Sequence, residues 1–346
     1  MRARWLGVAL VVAFLVGSCA PVATGGLATP SLAPSSPRTD PPTPSLPLTP
    51  SPAPTVADLL ARIDAGKLND HLQALAGVVS RDPRHPGHAK ALAYLKEQLG
   101  AIPGVEVSTF RNVYQGIALE SVLATIDPPG PVSPTGWVIA HGHYDSIANR
   151  TPAWRPALDP APGADDNGTG TAGLLEVARV VAGQRTSLAH RVVVAFFDGE
   201  ELFFKGSGAY VASLPKPLPY VAAINLDMVG FNPIADRLDL LWYTSGSAAL
   251  RDRVVRANDT YRIGVSPLNA QFAADGSTIM DAAPFGVAGI PSIALCQRYG
   301  ESDATFPGNF TFHTVNDTPD KVTNRRLWLK ATQLALAVTL ELARQI

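Results

Sequence analysis

Apolar residues recur along this chain in two rhythms, one helical and one extended. Over 56–75 they fall at Val56, Leu59, Leu60, Ile63, Leu68, Leu72 and Leu75, a spacing that predicts a helix. A second helix is predicted to open after Pro86-Gly87 and to run through Ala89, Ala91, Leu92, Tyr94, Leu95 and Leu99. Short apolar runs then predict strands at 121–126, 136–140, 191–197, 221–226, 238–243 and 291–295. Between them, 170–181, 206–213, 247–257 and 325–342 carry helical spacing. Strands alternating with helices predict an α/β fold with a mostly parallel sheet covered on both faces. Such sheets bind ligands beyond the carboxyl ends of their strands.

The first 54 residues do not share these rhythms. Arg2 and Arg4 followed by the apolar run 6–16 read as an export signal over 1–20, too short for a membrane span of roughly 20 residues. Val16-Gly17-Ser18-Cys19 resembles a bacterial lipobox, with Val16 where leucine is usual, so Cys19 is expected to carry lipid. Residues 21–54 hold eleven prolines among Ser, Thr, Ala and Gly and no apolar period, the composition of a disordered tether. The expected location is outside the cell, anchored to the outer face of the bacterial membrane through Cys19 alone, with release as an alternative.

Residues 55–346 remain, enough for one large domain. The whole chain carries a net charge of −1, and losing Arg2 and Arg4 makes it −3. With no basic stripe, no nucleic-acid partner is expected. Cys296 is the only cysteine besides Cys19, which leaves no internal disulfide and makes Cys296 a core residue by its apolar run. The glycine-rich stretch 168–173 opens a helix but lacks the lysine of a phosphate loop.

The polar residues at the predicted strand ends carry the chemistry. Adjacent Glu200 and Glu201 follow the run 192–197 and cannot share one face of an extended chain. They can divide two tasks, metal binding and proton transfer. His143, Asp145 and Asp227 end other strands, and Asp166 and His313 lie in loops. Imidazole and carboxylate suit catalytic zinc, and a carboxylate has two oxygens with which to reach two ions. Composition does not single these residues out from 29 acidic ones.

The spacing of the surrounding motifs does. Gly142-His143-Tyr144-Asp145-Ser146, Pro162-Gly163-Ala164-Asp165-Asp166-Asn167 and Glu200-Glu201 with Gly206-Ser207 appear in that order. Asn225-Leu226-Asp227-Met228-Val229-Gly230, Ala288-Gly289-Ile290-Pro291-Ser292 and Phe312-His313-Thr314-Val315-Asn316-Asp317-Thr318 follow. Together they resemble the secreted two-zinc aminopeptidase family, which includes bacterial leucyl-type enzymes and is related to the glutaminyl cyclases. The resemblance covers about residues 85–320.

It implies a three-layer α/β/α sandwich of zinc exopeptidase type with a mixed, mostly parallel sheet. It implies two zinc ions, one held by His143 and Asp227, the other by Glu201 and His313, with Asp166 between them. Asp145 would orient His143, and Glu200 would be the general base for a zinc-activated water. A cis peptide after Asp166 is also implied. The expected substrates are peptides with a free N-terminus, and the expected state is a monomer. Trp154 and Phe285 are candidate walls for the first side chain, and His141 suits the rim or the support of the site.

Two departures stand out. The family's Ser-Asp-His segment reads Met280-Asp281-Ala282 here, and Ser277 stands where some members place an oxyanion-stabilising tyrosine. Tyr299 is a candidate substitute. The alternative activity is cyclisation of N-terminal glutamine by a one-zinc relative. The short spacing from Glu201 to Gly206-Ser207 favours the peptidase, because cyclases carry an insertion there.

Overall fold

The computed structural model describes residues 53–273, 280–297 and 302–344. The expected leader, Cys19, nearly all of the expected tether, Ser277 and Tyr299 lie outside the described residues. Eight strands form one mixed sheet: β1 (Glu106–Tyr114), β2 (Ile117–Ile126), β3 (Trp137–His143), β4 (Val192–Phe197), β5 (Tyr220–Asp227), β6 (Leu238–Tyr243), β7 (Leu268–Ala273) and β8 (Ser292–Cys296). Their order across the sheet is β1-β2-β4-β3-β5-β8-β6-β7. Neighbours β4, β3, β5 and β8 are parallel, so their carboxyl ends lie on one edge.

Alternation along each strand separates two cores. Val138 and Ala140 face one, with Val192, Val194, Ile224 and Leu226. Ile139 faces the other, with Val193, Ala195 and Ala223. The first core is covered by α1 (Val56–Leu60), α2 (Ala65–Ala76), α3 (Pro86–Gly100), α4 (Gly170–Ala182), α6 (Ala248–Thr260) and α8 (Arg325–Arg344). The second is covered by the short helices α5 (Lys205–Ser213) and α7 (Ala282–Val287). This is the expected three-layer sandwich, with unequal outer layers. Full coverage explains why β4 reads as an unbroken apolar run, with every residue buried.

The structure corrects the secondary-structure reading in four places. The helix expected over 56–75 is two helices, because Asp64 caps α2 by accepting from the amides of Gly66 (2.7 Å) and Lys67 (3.2 Å). Strand β1 was not expected. It is an edge strand whose residues never become fully buried, so it lacks the apolar signal. It turns into β2 through Gln115 and Gly116, both at positive φ, as a two-residue hairpin requires. Strand β7 and helix α7 were also not expected. Cys296 is a buried residue of β8, within the apolar run that suggested it.

Candidate metal centre

The parallel strands β3, β4 and β5 bring three acidic or imidazole segments to one edge. His143 is the last residue of β3, Asp227 the last of β5, and Glu200 and Glu201 follow the end of β4. Asp166 comes from the irregular helical turn Ala164–Thr169 that precedes α4, where Asp166 and Asn167 leave helical geometry. The Asp166-Asn167 peptide is cis. His313 arrives on the long segment between β8 and α8.

Asp166 stands at the centre. One carboxylate oxygen lies 3.3 Å from His143 Nε2, and that same nitrogen lies 3.5 Å from Asp227. The other oxygen lies 2.9 Å from His313 Nε2, which is 3.0 Å from Glu201. Two groups therefore share one residue: His143, Asp166 and Asp227, and Asp166, Glu201 and His313. Glu200 joins a third group with His143 and Glu201, whose donor atoms lie within 4.8 Å of one another.

Asp145 ties these pieces together. Its carboxylate lies 3.3 Å from His143 Nδ1 and accepts from the amides of Glu200 and Glu201, both at 3.2 Å. A single buried carboxylate thus faces the far side of one imidazole and holds the turn after β4. Asp317, a member of the last motif with no expected role, accepts from the amides of Asp165 and Asp166, both at 3.0 Å. Asp165 in turn accepts from Gly230 N (2.8 Å), Thr169 Oγ1 (3.1 Å) and Asn309 Nδ2 (3.0 Å). Such supports are hard to find in a sequence, because most of their partners come from distant segments and several are backbone amides.

The electrostatics fit a cation. Burial pushes the Glu200 carboxyl well above its usual range, opposed by His143 and reinforced by Glu201. Burial likewise raises Glu201 and Asp227. Burial also opposes ionisation of Asp166, but hydrogen bonds with His143 and His313 prevail and hold it low. Burial opposes protonation of both imidazoles, yet the surrounding carboxylates raise both. Among the described residues, Glu201 Oε1 and Asp227 Oδ1 are buried without a hydrogen-bond partner. Buried oxygens of this kind need a proton or a positive ion, and carboxylates with imidazoles form a donor set suited to zinc. The residues present fit the metal.

A pocket of about 220 Å³ opens on this cluster. Its apolar wall is Ile147, Phe203, Phe204, Met228, Met280 and Phe312. Phe203, Phe204, Met228, Met280 and His313 all have positive φ, a conformation that costs a non-glycine residue roughly 1–3 kcal/mol. The wall expected from Trp154 and Phe285 is not found. Phe285 is fully buried and stacks on His141 with ring centroids 4.7 Å apart, and Trp154 Nε1 donates to Pro160 O outside the pocket. His141 is also fully buried, two residues before His143 on β3, and does not form the rim. Ser207 Oγ donates to Asp281 at 2.5 Å, which joins the Gly206-Ser207 motif to the segment that departs from the family pattern.

Among solved structures, the chain resembles the LapA aminopeptidase of Legionella pneumophila, with TM-score 0.68, 21% identity, and coverage of 84% of this chain and 74% of that one. It also resembles the glutaminyl cyclase of Bacteroides thetaiotaomicron, with TM-score 0.65, 20% identity, and coverage of 80% and 98%. These likenesses concern the fold. In sequence, it is 26% identical over 262 residues to the uncharacterized protein YfbL of Escherichia coli, covering 69% of this chain and 76% of that protein. It is 34% identical over 133 residues to leucine aminopeptidase 1 of Trichophyton rubrum, a match that spans 37% of this chain and 33% of that protein. Residues 121–339 match Peptidase family M28, and with the acidic and imidazole ligand types gathered at the strand ends, the chain belongs to that family.

Proposed function

We propose that this protein is a zinc-dependent aminopeptidase that removes N-terminal residues from peptides. The observation that carries the reading is Asp166, whose two oxygens face two different imidazoles, His143 and His313. His143 and Asp227 would hold one zinc, Glu201 and His313 the other, and Asp166 would belong to both. When bound, zinc supplies Lewis acidity toward the carbonyl and lowers the pKa of water from 15.7 toward 7.

The remaining roles fall to the protein's own side chains. Glu200, raised by burial, accepts a proton from the attacking water and returns it to the leaving amine. Asp145 positions the base and one ligand together through the Glu200 amide and the His143 ring. Acidic oxygens around the centre receive the substrate's free α-amino group, which favours cleavage of the first residue. The apolar wall of the pocket suits an aliphatic or aromatic side chain there. Export, lipid attachment at Cys19 and a monomeric state complete the proposal.

Glutaminyl cyclases share the fold, so the test separates the two chemistries. Purified protein is incubated with leucyl-anilide and with a glutaminyl peptide, with zinc and with chelator. Zinc-dependent release of leucine is the expected result. Pyroglutamate formation without amino-acid release would instead establish the cyclase. Glu200→Gln is expected to keep its zinc and lose about 10²–10⁴-fold in kcat. Full activity in that variant removes Glu200 from the mechanism.

A further inference from the structure

Arg81 is a fully buried arginine that the chemistry above does not use. A guanidinium has five N–H donors, and here its nitrogens contact five backbone carbonyls. Nε donates to Tyr144 O at 2.5 Å. Nη1 donates to Pro162 O at 2.6 Å and Leu75 O at 3.4 Å. Nη2 donates to Gly163 O at 2.8 Å and Asp166 O at 3.5 Å. None of these contacts is to a carboxylate.

The positions of those carbonyls are informative. Tyr144 lies between His143 and Asp145. Pro162, Gly163 and Asp166 belong to the loop that presents Asp166. Arg81 therefore fastens the segment carrying one ligand to the segment carrying the shared one. Its backbone amide adds a third link, donating to Ser146 Oγ at 3.0 Å, and Ser146 donates onward to Ala161 O at 2.7 Å. The fit is close: a Cβ on Gly163 would lie 2.8 Å from Arg81 Nη2 and 2.4 Å from Asp166 O.

The charge matters as well as the fork. An unpaired buried cation is costly, and burial disfavours the charged form of Arg81 while Asp317, Asp166, Asp145 and Glu201 favour it. The attraction is mutual. A permanent positive charge beneath the cluster offsets repulsion among carboxylates that must come together before any metal arrives.

We infer that Arg81 is a positioning residue that preassembles the metal centre, by setting the His143 and Asp166 segments in register from below. The inference rests on the zinc reading. Lysine at this position keeps the charge but offers three donors with no planar fork. Methionine keeps much of the volume and loses both.

The test is zinc affinity, measured by competition with a chromophoric chelator on folded protein, together with thermal unfolding of the metal-free form. Supports outside the ligand set typically change metal affinity by about 10–100-fold, and a loss of that size is expected for Arg81→Lys, with a larger loss for Arg81→Met. Leu334→Ala, a core change in α8, an element that contributes no ligand, is the control. It is expected to lower the unfolding temperature and leave zinc affinity unchanged. If Arg81→Met is recovered unfolded, Arg81→Lys decides. Wild-type zinc affinity in folded Arg81→Lys overturns the inference, as does an equal loss of affinity in Leu334→Ala. A wild-type chain that binds no zinc fails the proposed function instead, so the two failures are distinct.

Discussion

Two glycines in α5, two residues apart, should respond in opposite ways to the same substitution. A Cβ on Gly206 would lie 2.0 Å from Asp198 O, with Asp198 C and N both at 3.1 Å. All three nearest atoms are backbone, so no side chain can rotate away. An ordinary contact at this point needs roughly 1 Å or more of added separation, and forced overpacking of this kind costs about 1–3 kcal/mol. The strain falls on a functional segment, because Asp198 opens the turn that carries Glu200 and Glu201. Displacement of a catalytic group by about 1 Å can cost on the order of 10²-fold in rate. A Cβ on Gly208 meets nothing within 4 Å. There, alanine should stabilise the helix by about 0.5–1 kcal/mol. Urea unfolding and kcat/KM on leucyl-anilide for Gly206→Ala and Gly208→Ala test the pair. Wild-type stability and activity in Gly206→Ala would refute the reasoning, as would equal damage from both variants.

Further outcomes follow from the supports and the charges. Asp317→Ala leaves the amides of Asp165 and Asp166 without their acceptor and is expected to cost about 1–3 kcal/mol for each donor, with partial recovery in Asp317→Asn, read by denaturant unfolding. Free zinc at 100 times its dissociation constant should stabilise the protein by about 2.7 kcal/mol per site relative to chelated protein, and identical unfolding curves would contradict a native metal centre. Burial lowers the pKa of His71 below 6.5, so the native state favours the neutral ring. The unfolded chain then takes up a proton first as pH falls through 6.5, and stability is lost on acidification until the native ring also protonates. His71→Phe is expected to unfold with a smaller difference between neutral and mildly acidic pH than the wild type, whatever its absolute stability. Parallel pH profiles would show that the His71 ring does not contribute.

Much of this protein was legible along the chain, for a local reason. A strand buried on both faces must be apolar nearly throughout, so β4 stood out, and a polar residue ending such a strand is exceptional enough to notice. His143, Glu200, Glu201 and Asp227 are candidates on that ground, and motif order adds Asp166 and His313. Edge strand β1 was not legible, because a half-exposed strand has no need of apolar residues. The gap between α1 and α2 is marked only by the five-residue step from Ile63 to Leu68 at the Asp64 cap, easily passed over between two helices that bury their apolar residues in the same core.

What the sequence by itself determined is the alternation of elements and the kinds of side chain placed at strand ends. Only the tertiary structure decided how those side chains meet. The orientation of Asp166 toward two imidazoles, the reach of Asp145 to the turn after β4, and the seating of Arg81 on five carbonyls all depend on backbone groups far apart in sequence. The same holds for the pocket wall, where Met228, Met280 and Phe312 come together and Trp154 and Phe285 do not. The physical reason is that periodicity records which face of an element is buried, whereas a site is built from directional contacts between elements. Directional contacts to backbone amides and carbonyls leave no mark on the pattern of residue types.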